Sequence, residues 1–231
     1  MLCFLQRPPV DGVFSKKYVA HEAALCFKLP DNMTTLEGAL IEPLAVGFHA
    51  AIQGDAHLGQ TAVVMGAGCI GLVSILALKA RGVNNIYVVD IIEKRLEKAR
   101  ELGATGIING REKNAVEEIL NLTKQRGVDL VIETAGTDIT SQQAIQMACK
   151  GATVVFVGYT SSGDVTLPMG MALDKEITFK TIFRYRHIYP LAIEAVSSGK
   201  ISVKEIVSNE FMLNDIQNAM DTSVRDKANV V

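Results

Sequence analysis

A doubly wound, parallel α/β sheet is the fold class this sequence predicts, and three observations predict it. A glycine-rich turn, Gly66-Ala67-Gly68-Cys69-Ile70-Gly71, ends one apolar run, Thr61-Ala62-Val63-Val64-Met65, and opens another from Leu72 to Ala80. A further β-like run, Ile86-Tyr87-Val88-Val89, closes on one acid, Asp90, 19 residues past the last glycine. Beyond it, short β-rich runs alternate with stretches of helical period. Antiparallel neighbours can be joined by tight turns, whereas parallel ones need a crossover of a dozen or more residues. The spacing therefore selects parallel strands with helices between them.

The remaining elements follow in order. A helix covers about Ile92 to Leu102, and Gly106-Ile107-Ile108-Asn109 is a short third strand. Asn114 to Gln125 is helical, with Val116, Ile119, Leu120 and Leu122 as its apolar stripe. Asp129-Leu130-Val131-Ile132-Glu133 is a fourth strand, and a helix spans about Thr140 to Cys149. Thr153-Val154-Val155-Phe156-Val157 is a fifth strand and Ile177 to Ile182 a sixth. Residues 1–44 do not fit this alternation. Gly12 to Val19 alternates partly, and Leu25-Cys26-Phe27-Lys28-Leu29 is strand-like up to Pro30. Thr34-x-x-Glu37 has the form of a capping box that opens a short helix.

The glycine turn has a mechanical reading. Its first glycine makes the tight turn, the second lets backbone approach a pyrophosphate, and the third lets helix and strand pack closely. The new helix aims free N–H groups at the phosphates, and Asp90 can accept hydrogen bonds from a ribose diol. Strand, helix and distal acid in register indicate a dinucleotide site of the Rossmann type. A carboxylate at Asp90 repels a 2′-phosphate, which favours NAD over NADP. Arg95 could pair with such a phosphate, although its run, Ile92 to Arg100, also reads as a solvated helix face. Methyltransferases share the fold but usually carry an acid just before the turn, where this chain has Met65. Ligands of such sheets gather beyond the carboxyl ends of the strands. Glu133-Thr134-Ala135-Gly136 and Val157-Gly158-Tyr159 are thus cofactor-facing loops by position, with ordinary turn chemistry as the alternative.

Composition narrows the field. The 231 residues are 48% apolar with a net charge of −2, enough chain for a real core. No basic cluster points to nucleic acid, no apolar run approaches the ~18 residues of a membrane span, and no signal-peptide layout opens the chain. Cys3, Cys26, Cys69 and Cys149 are scattered, without a CxxC pair. They read as buried thiols of a cytoplasmic protein, neither a disulfide framework nor a zinc knuckle. Glu42 is a charge inside an apolar stretch beside Pro43. It is either an exposed carboxylate at a helix start or a buried one near a metal or cleft.

The sequence resembles the zinc-dependent medium-chain dehydrogenases, especially their sorbitol (polyol) branch. The resemblance is carried by Lys28-Leu29-Pro30-Asp31-Asn32, by Glu37-Gly38-Ala39-Leu40-Ile41-Glu42-Pro43-Leu44, and by the glycine turn with Asp90 and Arg95. Phe183-Arg184-Tyr185 and Tyr189-Pro190-Leu191-Ala192-Ile193 extend it along the chain. It implies a Rossmann domain over 45–182, a remnant of a mainly-β, GroES-like catalytic lobe over 1–44, and a return to that lobe over 183–231.

The resemblance also assigns residues. Gly66, Gly68, Cys69, Ile70, Gly71, Asp90 and Arg95 match positions around the adenosine and phosphates of NAD. Val157, Gly158, Tyr159, Ile182, Phe183 and Arg184 match positions around the nicotinamide. Arg184 and Tyr185 match polyol contacts, and Glu42 matches a carboxylate beside the catalytic zinc. In the family, zinc polarises the alcohol oxygen and a hydride passes to nicotinamide C4. The principal zinc ligands, a cysteine and a His-Glu pair, precede everything in this chain. His21-Glu22 mimics that pair only superficially, His49 reads as packed or capping, and His57 and His187 as loop residues. The implied function is therefore NAD-dependent, zinc-assisted oxidation of a sorbitol- or xylitol-like polyol to a ketose, in a shortened form inactive alone. The alternative is an NAD-binding remnant that serves as a sensor or interaction module. The family further implies a homo-oligomer, dimer or tetramer, paired through the sixth strand.

Overall fold

Residues 26–226 are described by a computed structural model of the chain. Two helices lead in. α1 (Thr35–Ala39) is capped by Thr34, whose Oγ1 accepts from the Glu37 N–H while Glu37 accepts from the Thr34 N–H at 2.7 Å, the expected capping box. α2 (Ile41–Gln53) follows and lies against α3 (Cys69–Ala80). The sheet comprises β1 (Thr61–Met65), β2 (Asn85–Asp90), β3 (Gly106–Asn109), β4 (Val128–Glu133), β5 (Ala148–Phe156) and β6 (Thr178–Thr181). Between them run α4 (Glu93–Glu101), α5 (Ala115–Leu122), α6 (Asp138–Met147) and α7 (Met169–Asp174); α8 (Tyr189–Ser197) and α9 (Ile216–Arg225) follow.

All neighbouring strands pair in parallel, in the order β3-β2-β1-β4-β5-β6. The winding reverses between β1 and β4, so a crevice opens beyond the carboxyl ends of those two strands. The apolar runs follow from burial on both faces. Ala62, Val64, Ile86, Val88, Leu130, Ile132 and Val155 enter one core with the inner sides of α2, α3, α4 and α8. Their alternate neighbours Val63, Met65, Val89, Val131 and Val154 enter a second core with Ala115, Ile119, Ala144 and Met147. Each large aliphatic side chain buried this way contributes about 1.5–3 kcal/mol. The first core runs from Ile41 to Ile206 and ties α2 and α8 to the sheet.

Several expected elements differ. The helix over Asn114 to Gln125 stops at Leu122, because Lys124 and Gln125 turn to φ +54° and +65°. Of its stripe only Ile119 is buried, joined by Ala115, and Leu122 is 50% exposed. The helix placed over Thr140 to Cys149 is displaced to Asp138–Met147, and Cys149 belongs to β5. Ala148 already has extended backbone (φ −67°, ψ 141°), which starts that strand before Gly151. Cys26 to Leu29 form no strand, for no ladder partner lies beside them among the described residues. Gly12 to Val19, His21 and Glu22 lie outside the described residues.

Candidate functional site

The glycine turn is held from both sides. Gly66 has φ +97°, a backbone region that L side chains rarely adopt. A Cβ on Gly71 would stand 1.9 Å from the Gly66 carbonyl oxygen, so α3 packs on the turn only because position 71 lacks a side chain. A Cβ on Gly68 would meet only the Arg95 guanidinium, at 3.8 Å, which leaves open ground above the middle glycine. From the β2 side, Asp90 Oδ2 accepts the Ala67 N–H at 2.6 Å, and Oδ1 accepts those of Ile91 and Ile92 at 2.7 and 2.9 Å. From the β4 side, the Thr134 hydroxyl donates to the Met65 carbonyl at 2.8 Å. No side chain caps the start of α3 at Gly68, so its first N–H groups face the crevice unclaimed by a cap. A pyrophosphate fits this cradle, with Asp90 and Arg95 beside it.

Cys69 begins α3. Burial, and then the charge of Glu42, push its thiol up to about 11, so it stays protonated at neutral pH. Its contribution to the turn is a backbone N–H, not thiolate chemistry.

Glu42, in the first turn of α2, comes together with Arg184 and Tyr185, far along the chain. Burial raises the pKa of its half-buried carboxyl, opposed by a hydrogen bond from Tyr185 and the charge of Arg184. Burial likewise raises that of the Tyr185 phenol, which meets the Tyr189 hydroxyl at 3.1 Å. The rings of Tyr185 and Tyr189 cross edge to face at 5.1 Å, Phe27 stacks on Tyr189, and the Arg184 guanidinium lies 4.9 Å over Phe183. The sequence assigns neither Tyr189 nor Phe27 a role at the site; the fold brings them to this cluster. Glu42 thus combines features of both readings: it stands in the first turn of α2, and it is half-buried beside Tyr185 and Arg184.

Zinc does not fit the described residues by themselves. Among them no group of three His, Cys, Asp or Glu side chains comes together to hold a metal ion. His49 lies within α2 with its Nδ1 buried, and burial, reinforced by the charge of Arg186, lowers its pKa. The His57 ring meets the Asp55 carbonyl at 2.6 Å, and His187 sits in a bend at φ +59°.

The nicotinamide-side positions form a second group. Val157 and Gly158 donate their N–H groups to the Glu133 carbonyl, and Ile182 donates to that of Phe156. Tyr159 and Phe183 project from this end of the sheet, 86% and 79% exposed. Glu133 is 1% exposed, and sequence reasoning saw it only as the end of the fourth strand and the start of a loop. The available signal was an acid closing an apolar strand, as Asp90 closes β2.

The pattern of the family described as zinc-binding dehydrogenase matches residues 69–198, more than half of the chain. The chain belongs to the zinc-binding dehydrogenase family. Sorbitol dehydrogenase of Bacillus subtilis is 40% identical over 224 residues, covering 97% of this chain and 63% of that enzyme. An Escherichia coli oxidoreductase/dehydrogenase of unknown specificity, involved in membrane biogenesis, superposes with a TM-score of 0.88 at 40% identity, covering 91% of this chain and 60% of the other. A short chain alcohol dehydrogenase from E. coli CFT073, solved with NADH, superposes at 0.82 with 25% identity, covering 90% and 61%. This zinc-binding dehydrogenase chain thus spans about three-fifths of the length of these relatives. The matched region runs from the start of α3 to the end of α8 and contains the last residues of the glycine turn, Cys69 to Gly71, together with Asp90, the Glu133 loops and the Arg184–Tyr185 pair. Among the described residues no helix is long and apolar enough to cross a membrane.

Proposed function

We propose that the chain is the coenzyme-binding part of an NAD-dependent polyol dehydrogenase, which transfers a hydride between a secondary alcohol and nicotinamide. The observation that carries this reading is the glycine cradle locked by Asp90. Asp90 ties the turn through the Ala67 N–H and open space lies above Gly68; in this reading the turn's N–H groups meet a pyrophosphate and the carboxylate meets the adenosine ribose. In this reading Gly66, Gly68, Cys69, Ile70 and Gly71 hold the phosphates, and Asp90 and Arg95 flank the adenosine. Val157, Gly158, Tyr159, Ile182 and Phe183 line the nicotinamide side. Arg184 and Tyr185 orient polyol hydroxyls by donating to them, and Glu42 accepts from the same network. When bound, NAD supplies the hydride acceptor; the chain supplies orientation and a surface that excludes water.

The relatives' names point to the substrate class, since one of them oxidises sorbitol by name. The division into 1–44, 45–182 and 183–231, and self-association through the free edge of β6, belong to the same reading. Among the described residues no three metal donors come together, and the reading expects cofactor binding that does not depend on added zinc.

Fluorescence titration with NADH tests the cofactor half, and the absence of a saturable signal would sink it. Adding sorbitol or xylitol to the NADH complex tests the substrate half. A polyol-dependent change in the bound-NADH signal, lost in Arg184→Ala, is expected; a change that survives in the variant removes Arg184 from the polyol site.

A further inference from the structure

Glu133 is a buried carboxylate to which neither the sequence motifs nor the proposed reaction gives a role. It closes β4 at the switch point, beside the turn after β1. Its Oε1 accepts three hydrogen bonds, from the N–H groups of Ala135 and Gly136, each at 2.9 Å, and from the Thr140 hydroxyl at 2.8 Å. Its carbonyl accepts two more, from Val157 and Gly158 at 2.8 and 3.0 Å. Both loops beyond β4 and β5 are therefore anchored to one residue, the first through its carboxylate and the second through its backbone carbonyl.

The two loops also touch backbone to backbone. A Cβ on Gly158 would stand 2.3 Å from the Gly136 nitrogen and 2.7 Å from Glu133 Oε2. A Cβ on Gly136, which has φ +67°, would stand 2.6 Å from the Tyr159 carbonyl oxygen. The carboxyl thus fills the space directly beneath the meeting point of the two loops. Burying such a group is costly, and an aliphatic side chain would fill the same volume without that cost. What an aliphatic side chain could not do is gather three donors on one oxygen.

We propose that Glu133 is a positioning residue for the dinucleotide, holding Thr134–Gly136 and Val157–Tyr159 as one rigid ledge under the nicotinamide half of the cofactor. The proposal rests on the NAD reading above. It goes beyond that reading by naming the side chain that sets the ledge. Thr134 extends the same device to the phosphate side, since its hydroxyl latches the turn after β1. Acceptor geometry at Oε1 is the property that matters, and a glutamine amide oxygen can supply it.

The test compares NADH titrations of the parent chain, Glu133→Gln and Glu133→Ala, with Tm measured for each. Glu133→Gln should bind NADH within about twofold of the parent, and Glu133→Ala should bind about tenfold or more weakly, as misplaced contacts typically do. Amide exchange at Ala135 and Gly136 should quicken in Glu133→Ala and not in Glu133→Gln. Parental affinity in Glu133→Ala overturns the proposal and leaves the NAD reading standing. Equal weakening in both variants overturns it as well, because the amide would then have failed to rescue. If the parent itself gives no saturable signal, the NAD reading and this proposal fall together. Should Glu133→Ala not fold, Thr140→Val removes one donor and decides the matter. Faster exchange at Gly136 with NADH binding weakened severalfold supports the ledge, and unchanged affinity overturns it.

Discussion

At the scale of single residues, two carboxylates that close parallel strands divide the work. Asp90 is tied to the glycine turn through Ala67, and in the function proposed above it meets the adenosine ribose. Asp90→Ser should relax cofactor preference towards NADP by about 1–3 kcal/mol, since a repulsive charge and its diol hydrogen bonds go while Arg95 stays. Titrating both reduced cofactors against parent and variant measures this, and an unchanged ratio would show that Asp90 does not face the 2′ position. Glu133 makes a prediction about pH. Burial raises its pKa above the ordinary 4.5, although three hydrogen bonds pull it back. A raised folded-state pKa means that the folded chain holds this proton more tightly than the unfolded one. Its stabilising contribution is complete below 4.5 and is lost as pH rises through the folded value. Glu133→Gln does not titrate, so its Tm relative to the parent should climb as pH rises from 4.5 towards neutrality. A difference that stays flat would mean that the three donors, and not burial, govern this carboxyl.

At the scale of elements, caps and close approaches decide. Thr34→Ala removes the hydroxyl that caps α1, and Tm should fall by about 2–4 °C, the usual worth of one cap in a chain of this size. The ion pair between Glu37 and Lys204, at 3.4 Å, remains and keeps α1 against the chain after α8. Gly71→Ala should be far worse for function. Its methyl would meet the Gly66 carbonyl, which is backbone and cannot rotate aside, so α3 must move off the turn. A stability loss of about 1–3 kcal/mol is expected together with loss of the NADH signal. Parental NADH binding in that variant would show that the cradle tolerates a shifted helix.

For the whole molecule, cofactor binding and stability are linked. NADH at about 100 times its Kd should stabilise the chain by about 2.7 kcal/mol, read as a rise in Tm. NADPH at the same concentration should raise Tm less, because Asp90 repels its extra phosphate. Equal shifts for the two would contradict the placement of Asp90 and leave the cradle itself intact. The order β3-β2-β1-β4-β5-β6 explains why so much of this depends on one region: β1, β2, β4 and β5 all deliver their loops to the same end of the sheet.

Local signals by themselves determined the sheet class, the glycine cradle, Asp90 and the α1 cap, because each is written within some 25 residues of chain. Strand period, helix period and cap chemistry act over that range, so every strand but β5 could be placed to within a residue. The end of α5 and the start of β5 were misplaced because an apolar stripe records neither. α5 ends in a local turn, with the Lys124 and Gln125 N–H groups donating to Asn121 and Leu120 at positive φ, and β5 starts early because Ala148 pairs with Val128 of β4. The resemblance assigned a role to Glu42, but only the folded chain sets it beside Cys69, Arg184 and Tyr185 and adds Tyr189 and Phe27. Glu133 is the clearest case. Its letter ends an apolar run as Asp90 does, yet whether such an acid faces a ligand or lies under two touching loops depends on which strand stands beside it. That neighbour is chosen by the crossover topology, through burial of both sheet faces at once, and no short stretch of sequence records it.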